Sequence, residues 1–191
     1  MNLTGLEKYG ELGEDIREVL ITAETLNSKV QEIGAAISQD YAGKNPLLVG
    51  VLKGVVVFMA DLLRTITIPV EVDFLGVSSY SSEARNQGLV RLEKDLDATI
   101  SGRHILFVED VVDTGLTLNY LLRTLQARQP ASLEVCALFN KVQTRLIDIP
   151  LKYKGFDLPN RFVVGYGLDY RERYRNLPFV GLLKPQALHS D

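Results

Sequence analysis

Residues 105–119 read ILFVEDVVDTGLTLN. The apolar run from His104 to Val108 suits a strand buried on both faces. The loop Glu109 to Gly115 follows, opening on two adjacent acids, Glu109 and Asp110. Asp113-Thr114-Gly115-Leu116-Thr117 then leads into a helix from about Leu116 to Ala127, ended before Pro130. A strand that gives way to a helix in this manner sets carboxylates at the carboxyl edge of a sheet. It also presents unpaired backbone N–H groups and the positive end of a helix dipole, which favour a phosphate. Gly115 permits close backbone approach, and the paired acids suit a ribose diol or a divalent metal. An ordinary turn with Asp113 or Thr114 as helix cap would use the same letters. Two acids at the end of an apolar strand are harder to explain as packing. No Gly-Lys-Ser/Thr phosphate loop and no GxGxxG fingerprint is present.

The flanking sequence repeats this alternation. Leu26, Val30, Ile33 and Ile37 mark one face of a helix from Ala23 to about Tyr41, and Gly43 and Pro46 punctuate it. Leu47 to Leu52 reads as a buried strand, and VVVFMADLLR after Lys53-Gly54 as a helix. A strand follows Pro69, then a long polar loop over 81–88 and a return strand at Leu89 to Leu92. Leu133 to Phe139 is the next strand. Beyond Pro150 the chain becomes hairpin-like, with short strands at Phe162-Val163-Val164 and Phe179 to Leu183. This predicts an α/β fold: a mostly parallel central sheet flanked by helices, with a ligand at the strand ends after Leu52 and Val108. The first dozen residues are predicted to form a loosely held arm.

Composition narrows the class. The chain has 191 residues, is 46% hydrophobic and carries a formal charge of −3. That predicts one globular domain and argues against a globally basic nucleic-acid binder. The single cysteine, Cys136, excludes an internal disulfide framework and reads as a buried thiol. Neither a basic leader followed by an apolar core nor an uninterrupted membrane-length apolar run is visible, since Lys53 and Asp61 break the longest one. A cytoplasmic location with no membrane partner is expected.

VEDVVDTGLTL (108–118) is similar to the 5-phosphoribosyl-1-pyrophosphate (PRPP) signature of type I phosphoribosyltransferases. LVGVLKGVVVFMADLLR (48–64), DFLGVSSY (73–80) and FVVGYGLDYRERYRNLPFVGLLKP (162–185) resemble hypoxanthine-guanine phosphoribosyltransferases of bacterial type. The likeness runs from about Ile21 to Pro185, with the motifs in order. It implies the type I phosphoribosyltransferase fold and a single domain over 1–191. A small hood would come from about 1–22 and 150–191.

The resemblance also implies roles. Asp113, Thr114, Gly115, Leu116 and Thr117 would bind the 5-phosphate. Glu109 and Asp110 would lie beside the ribose hydroxyls and, with Asp169, the magnesium that bridges to pyrophosphate. Asp113 would accept the purine N7 proton, which suits a carboxylate whose pKa is lifted by burial. Lys53-Gly54, at a peptide that is often cis, and Arg175 would contact pyrophosphate. Lys141 would donate to the O6 of a 6-oxopurine and disfavour an amino group. Phe162 would stack on the base, and Val163 and the backbone near Asp169 would meet its edge. Relatives often carry Asp before this Lys, where this chain has Asn140. Ser79 and Tyr80 would lead a loop that closes over the site. Arg171 and Arg173 read better as a salt-bridged surface. A homodimer or homotetramer is implied. Two alternatives remain at the level of sequence: a xanthine-preferring relative, and a nucleotide-sensing regulator that binds nucleic acid. The mild acidity and the presence of Asp113, Lys141 and Asp169 disfavour the regulator.

Overall fold

The computed structural model describes residues 5–79 and 90–189. Tyr80 and the polar segment 81–88, expected to close over the site, lie outside the described residues. In chain order the elements are α1 (Glu11–Glu14), β1 (Ile16–Ile21), α2 (Ala23–Asp40), β2 (Leu47–Leu52), α3 (Val55–Thr65), β3 (Glu71–Ser79) and β4 (Val90–Lys94). There follow β5 (His104–Val112), α4 (Leu116–Gln126), β6 (Ser132–Asn140), β7 (Tyr153–Asp157), β8 (Val163–Val164), β9 (Val180–Leu183) and α5 (Pro185–His189).

A six-stranded sheet has the order β4-β3-β2-β5-β6-β7. All its neighbours pair in parallel except β4, which runs antiparallel to β3 at one edge. The central strands β2, β5 and β6 are each built on a buried apolar run, because helices cover both faces of the sheet there. Leu48, Leu106, Val108, Cys136 and Leu138 point into the core shared with α2 and α3. Leu47, Val49, Ile105, Phe107 and Val135 point into the core shared with α4. Each such fully buried side chain contributes about 1.5–3 kcal/mol. Thr22 starts α2 by accepting from the Thr25 N–H, and Leu26, Val30, Ile33 and Ile37 form its buried stripe. Burial pushes the Cys136 thiol pKa up, consistent with an inert core residue.

The hood is a second sheet, β1-β9-β8, antiparallel throughout. It has its own core of Ile16, Val164, Tyr174, Leu177, Phe179 and Leu183. Two expectations differ from the structure, and one strand has no counterpart in the sequence reading. From Gly5 onward the N-terminal arm is held: residues 7–9 and α1 form helical turns, and Tyr9 packs edge-on against Phe179 at 5.6 Å. Strand β1 was not legible because register irregularities break its alternation. The hood does not begin at 150, because Tyr153–Asp157 is the edge strand of the main sheet, beside β6. That strand carries lysines at an exposed edge and reads weakly. Gly155 allows its backbone to press on β6, where an added Cβ would sit 2.3 Å from the Leu138 carbonyl.

Candidate active site

Register across the parallel sheet gathers the chemistry at one edge. Leu47–Gly50 of β2 pair with Ile105–Val108 of β5, so Lys53-Gly54 and Glu109-Asp110 emerge side by side. Val112 of β5 pairs with Asn140 of β6. The next residue of each strand is therefore Asp113 and Lys141, and the Lys141 Nζ donates to Asp113 Oδ2 at 3.3 Å. Strand β5 runs to Val112 rather than ending at Val108, so Glu109 and Asp110 are strand residues, not loop residues. Val111 and Val112 prolong the strand because β6 continues to pair with it.

The turn that follows differs from the capping alternative. Gly115 is the helix N-cap, with φ +82°, and no side chain caps α4. Thr114 Oγ1 accepts only a long bond of 3.4 Å from Leu116 N–H. The first amides of α4 are thus left for a ligand. Asp113 does not cap the helix; its side chain is 49% exposed and faces Lys141, so the burial expected around it is absent.

The acid pair lies deeper. Glu109 Oε2 is buried and has no hydrogen-bond partner among the described residues. Burial, and then the nearby Asp110, raise the Glu109 pKa well above the carboxylate range. Burial also lifts Asp110 to about 6, partly opposed by the Val111 N–H and by Arg175. Asp110 Oδ2 presses on Gly54, where an added Cβ would lie 1.9 Å away. Gly54→Ala is expected to push this carboxylate aside and destabilise the fold by about 1–3 kcal/mol. A lowered Tm is the readout; an unchanged Tm would sink the prediction.

A pH dependence follows from the same burial. The folded protein keeps the Asp110 proton from about pH 4 to about 6, where the unfolded chain has lost it. The penalty is therefore complete above about pH 6 and vanishes below about pH 4. In chelator-treated protein, Asp110→Asn is expected to be more stable than the parent by roughly 1–3 kcal/mol at pH 7. Denaturation over pH 4–8 should show that advantage shrinking as pH falls. A constant or reversed difference would contradict it.

The hood closes the other side. Gly167, at φ +95°, sits so near the Gly54 carbonyl that a Cβ there would lie 2.2 Å from it. Arg175 donates to the Gly167 carbonyl at 2.7 Å and to Asp169 Oδ1 at 2.8 Å. The Leu52–Lys53 peptide is cis. Lys53 Nζ meets Glu172 Oε2 at 2.8 Å, and Glu172 also reaches Arg175 at 3.2 Å. The sequence groups Glu172 with Arg171, Arg173 and Arg175 as a charged loop; its reach to the distant Lys53 has no local mark. Arg173 pairs with Glu11, in keeping with a surface contact.

A cleft of about 430 Å³ brings together Gly54, Glu109, Asp110, Lys141, Phe162, Val163, Asp169 and Arg175, with Val111 and Leu168 completing it. Lys53 and residues 113–117 do not line this volume. Phe162 is 49% exposed and stands edge-on to Tyr170 at 5.5 Å, leaving a face for a flat ligand. Val163 is buried as the first residue of β8. Ser79 ends β3. Among the described residues no three acids or other ligating side chains converge to hold a metal by themselves. Glu109, Asp110 and Asp169 contribute the acidic part of the cleft lining.

The parallel sheet with its uncapped turn and buried acid pair at the carboxyl edge, beside an antiparallel hood, is the arrangement of the phosphoribosyltransferase class. The family model for the phosphoribosyl transferase domain matches residues 22–171. The hypoxanthine-guanine phosphoribosyltransferase of Streptococcus agalactiae is 51% identical over 175 residues, covering 92% of this chain and 97% of that one. That of Mycobacterium avium is 49% identical, covering 91% and 88%. A hypoxanthine phosphoribosyltransferase structure from Staphylococcus aureus superposes with a TM-score of 0.89 at 43% identity, covering 94% and 97%. The chain belongs to the hypoxanthine-guanine phosphoribosyltransferases.

Proposed function

We propose the following division of labour for transfer of the 5-phosphoribosyl group of PRPP to hypoxanthine and guanine. The contact that carries it is the Lys141–Asp113 pair beside the uncapped turn. On a 6-oxopurine, O6 and N7 lie along one edge. An ammonium and a carboxylate in contact suit that edge, one donating to O6 and the other accepting from N7–H. The N9–C1 bond forms as the bond from C1 to pyrophosphate breaks, and the N7 proton passes to Asp113. Amides and hydroxyls of 113–117 hold the 5-phosphate. Lys53, the Gly54 backbone and Arg175 face the departing pyrophosphate. Glu109 and Asp110 orient the ribose hydroxyls, and Phe162 stacks on the base while Val163 meets its edge.

Glu109, Asp110 and Asp169 are the residues suited to magnesium, whose contribution when bound is to neutralise charge on the leaving pyrophosphate. The buried, unpartnered Glu109 Oε2 fits such a cation. A homodimer or homotetramer is supported by exposed Leu52 and Val56 at the Lys53 loop, and light scattering on the purified protein tests it. No helix among the described residues is long and apolar enough to cross a membrane. We take the described residues as one domain, with the hood beginning after Asp157.

The direct test is pyrophosphate release with PRPP and hypoxanthine, guanine, xanthine or adenine side by side, with and without magnesium. Turnover with hypoxanthine and guanine, little with adenine and none after chelation is expected. Faster turnover of xanthine than of either would overturn the substrate assignment.

A further inference from the structure

We infer that Arg145 is a further substrate-positioning residue of this enzyme: its guanidinium, set behind Gly115 with no counter-ion in contact among the described residues, supplies fixed positive charge to the 5-phosphate in turn 113–117. The inference rests on the reading of that turn as the phosphate site.

The chain turns back after Lys141 through a short helical turn, Val142–Thr144, and then runs alongside the phosphate turn. The Leu146 and Ile147 N–H groups both donate to the Thr114 carbonyl, at 3.0 and 3.3 Å. A Cβ placed on Gly115 would lie 3.1 Å from the Ile147 carbonyl and 3.5 Å from Arg145 Nη1. The guanidinium therefore forms part of the wall against which the turn is folded.

Its partners are neutral. Arg145 Nε and Nη2 both donate to Asn140 Oδ1, at 3.0 and 2.9 Å, and Nη1 reaches only the Ile147 carbonyl at 3.5 Å. Asn140 is buried, and its Nδ2 donates to Asp157 Oδ1 at 2.7 Å. Asp157 in turn holds Lys154 at 2.8 Å. The amide thus stands between the nearest carboxylate and the guanidinium, and that carboxylate already has its cation. Asp148 is close enough to pull on Arg145 but forms no ion pair with it, and burial pushes the guanidinium pKa down.

A half-buried cation without a contacting anion is destabilising in the empty protein. It becomes favourable when an anion arrives nearby in a medium less polar than water. The two bonds to one carbonyl fix the group in place, so its charge needs no reorganisation when the phosphate binds. The neutral Asn140, whose side chain faces Arg145 and Asp157, is what leaves that charge available.

The test is calorimetric titration of the full chain with GMP and with ribose 5-phosphate, beside the KM for guanine. Arg145→Gln is expected to weaken both phosphate ligands about tenfold, about 1.4 kcal/mol, with the guanine KM little changed. Arg145→Lys, which keeps the charge but cannot reproduce the paired grip on Asn140, should recover most of the loss. Asn140→Asp, which leaves Arg145 in place and sets a carboxylate against it, should weaken GMP in the same direction. Unchanged GMP affinity in Arg145→Gln, or equal losses in the Gln and Lys variants, would overturn the inference. If Arg145→Gln fails to fold, unchanged affinity in Asn140→Asp does so instead. Thr117→Ala separates the two readings. If it weakens GMP while the Arg145 variants do not, the phosphate turn stands and this inference falls; if none of them does, the turn itself has been misassigned.

Discussion

Asp113→Asn is expected to lower kcat by about 10²–10⁴-fold, the size of a general-base contribution, while GMP still binds. Asparagine has the same shape and can still accept from the Lys141 ammonium, but it cannot take a proton. The Asp113 carboxylate is half exposed and lies outside the packed core, so the fold has little to lose. Steady-state pyrophosphate release with hypoxanthine, combined with a melting curve, measures both effects. Full turnover in a folded variant would remove Asp113 as the proton acceptor.

Lys141→Ala carries the second large effect. A hydrogen bond from a charged donor to a buried ligand atom is worth about 1.5–3 kcal/mol, or about 10–150-fold in kcat/KM for hypoxanthine. Adenine has no carbonyl at that position, so its weak turnover should change far less and the ratio between the two bases should collapse. The Lys141 side chain is only 14% exposed, which leaves it few alternative partners. Because Lys141 touches Asp113, the two losses are not independent. The double variant should be less impaired than the product of the single effects. Strict multiplicativity, or an unaltered ratio of hypoxanthine to adenine turnover, would argue that the pair does not act on one edge of the base.

The site was partly legible before the fold was known. Gly54, Glu109, Asp110, Lys141, Phe162, Val163, Asp169 and Arg175 were all singled out by motif, and they line one cleft. The resemblance supplied most of their roles, since a lone lysine at a strand end carries no local mark of its chemistry. Arg145 was invisible as a contributor, and so was the reach of Glu172 to Lys53. Glu172 matters here because it joins Lys53 to Arg175, and Lys53 lies 119 positions away from it in the chain. Arg145 matters because of what its neighbours lack, and a missing counter-charge cannot be read from a linear pattern. The burial expected around Asp113 is also absent, since its side chain is half exposed. In the fold, burial falls on Glu109 and Asp110, two positions that β5 carries into the cleft.

The order of the central buried strands and amphipathic helices, and the glycine turn between β5 and α4, were determined by the sequence alone. Those features depend on neighbours a few residues apart: period-two or unbroken apolar runs, a 3.6-residue stripe, and a glycine where the backbone turns. The tertiary structure decided how far each strand runs, that residues 153–157 join the main sheet, that β1 meets β9, and that Asp113 faces Lys141 across 28 residues of chain. Strand length and partnership are settled by register between segments distant in sequence. A one-residue slip in that register would have turned the same side chains to opposite faces of the sheet.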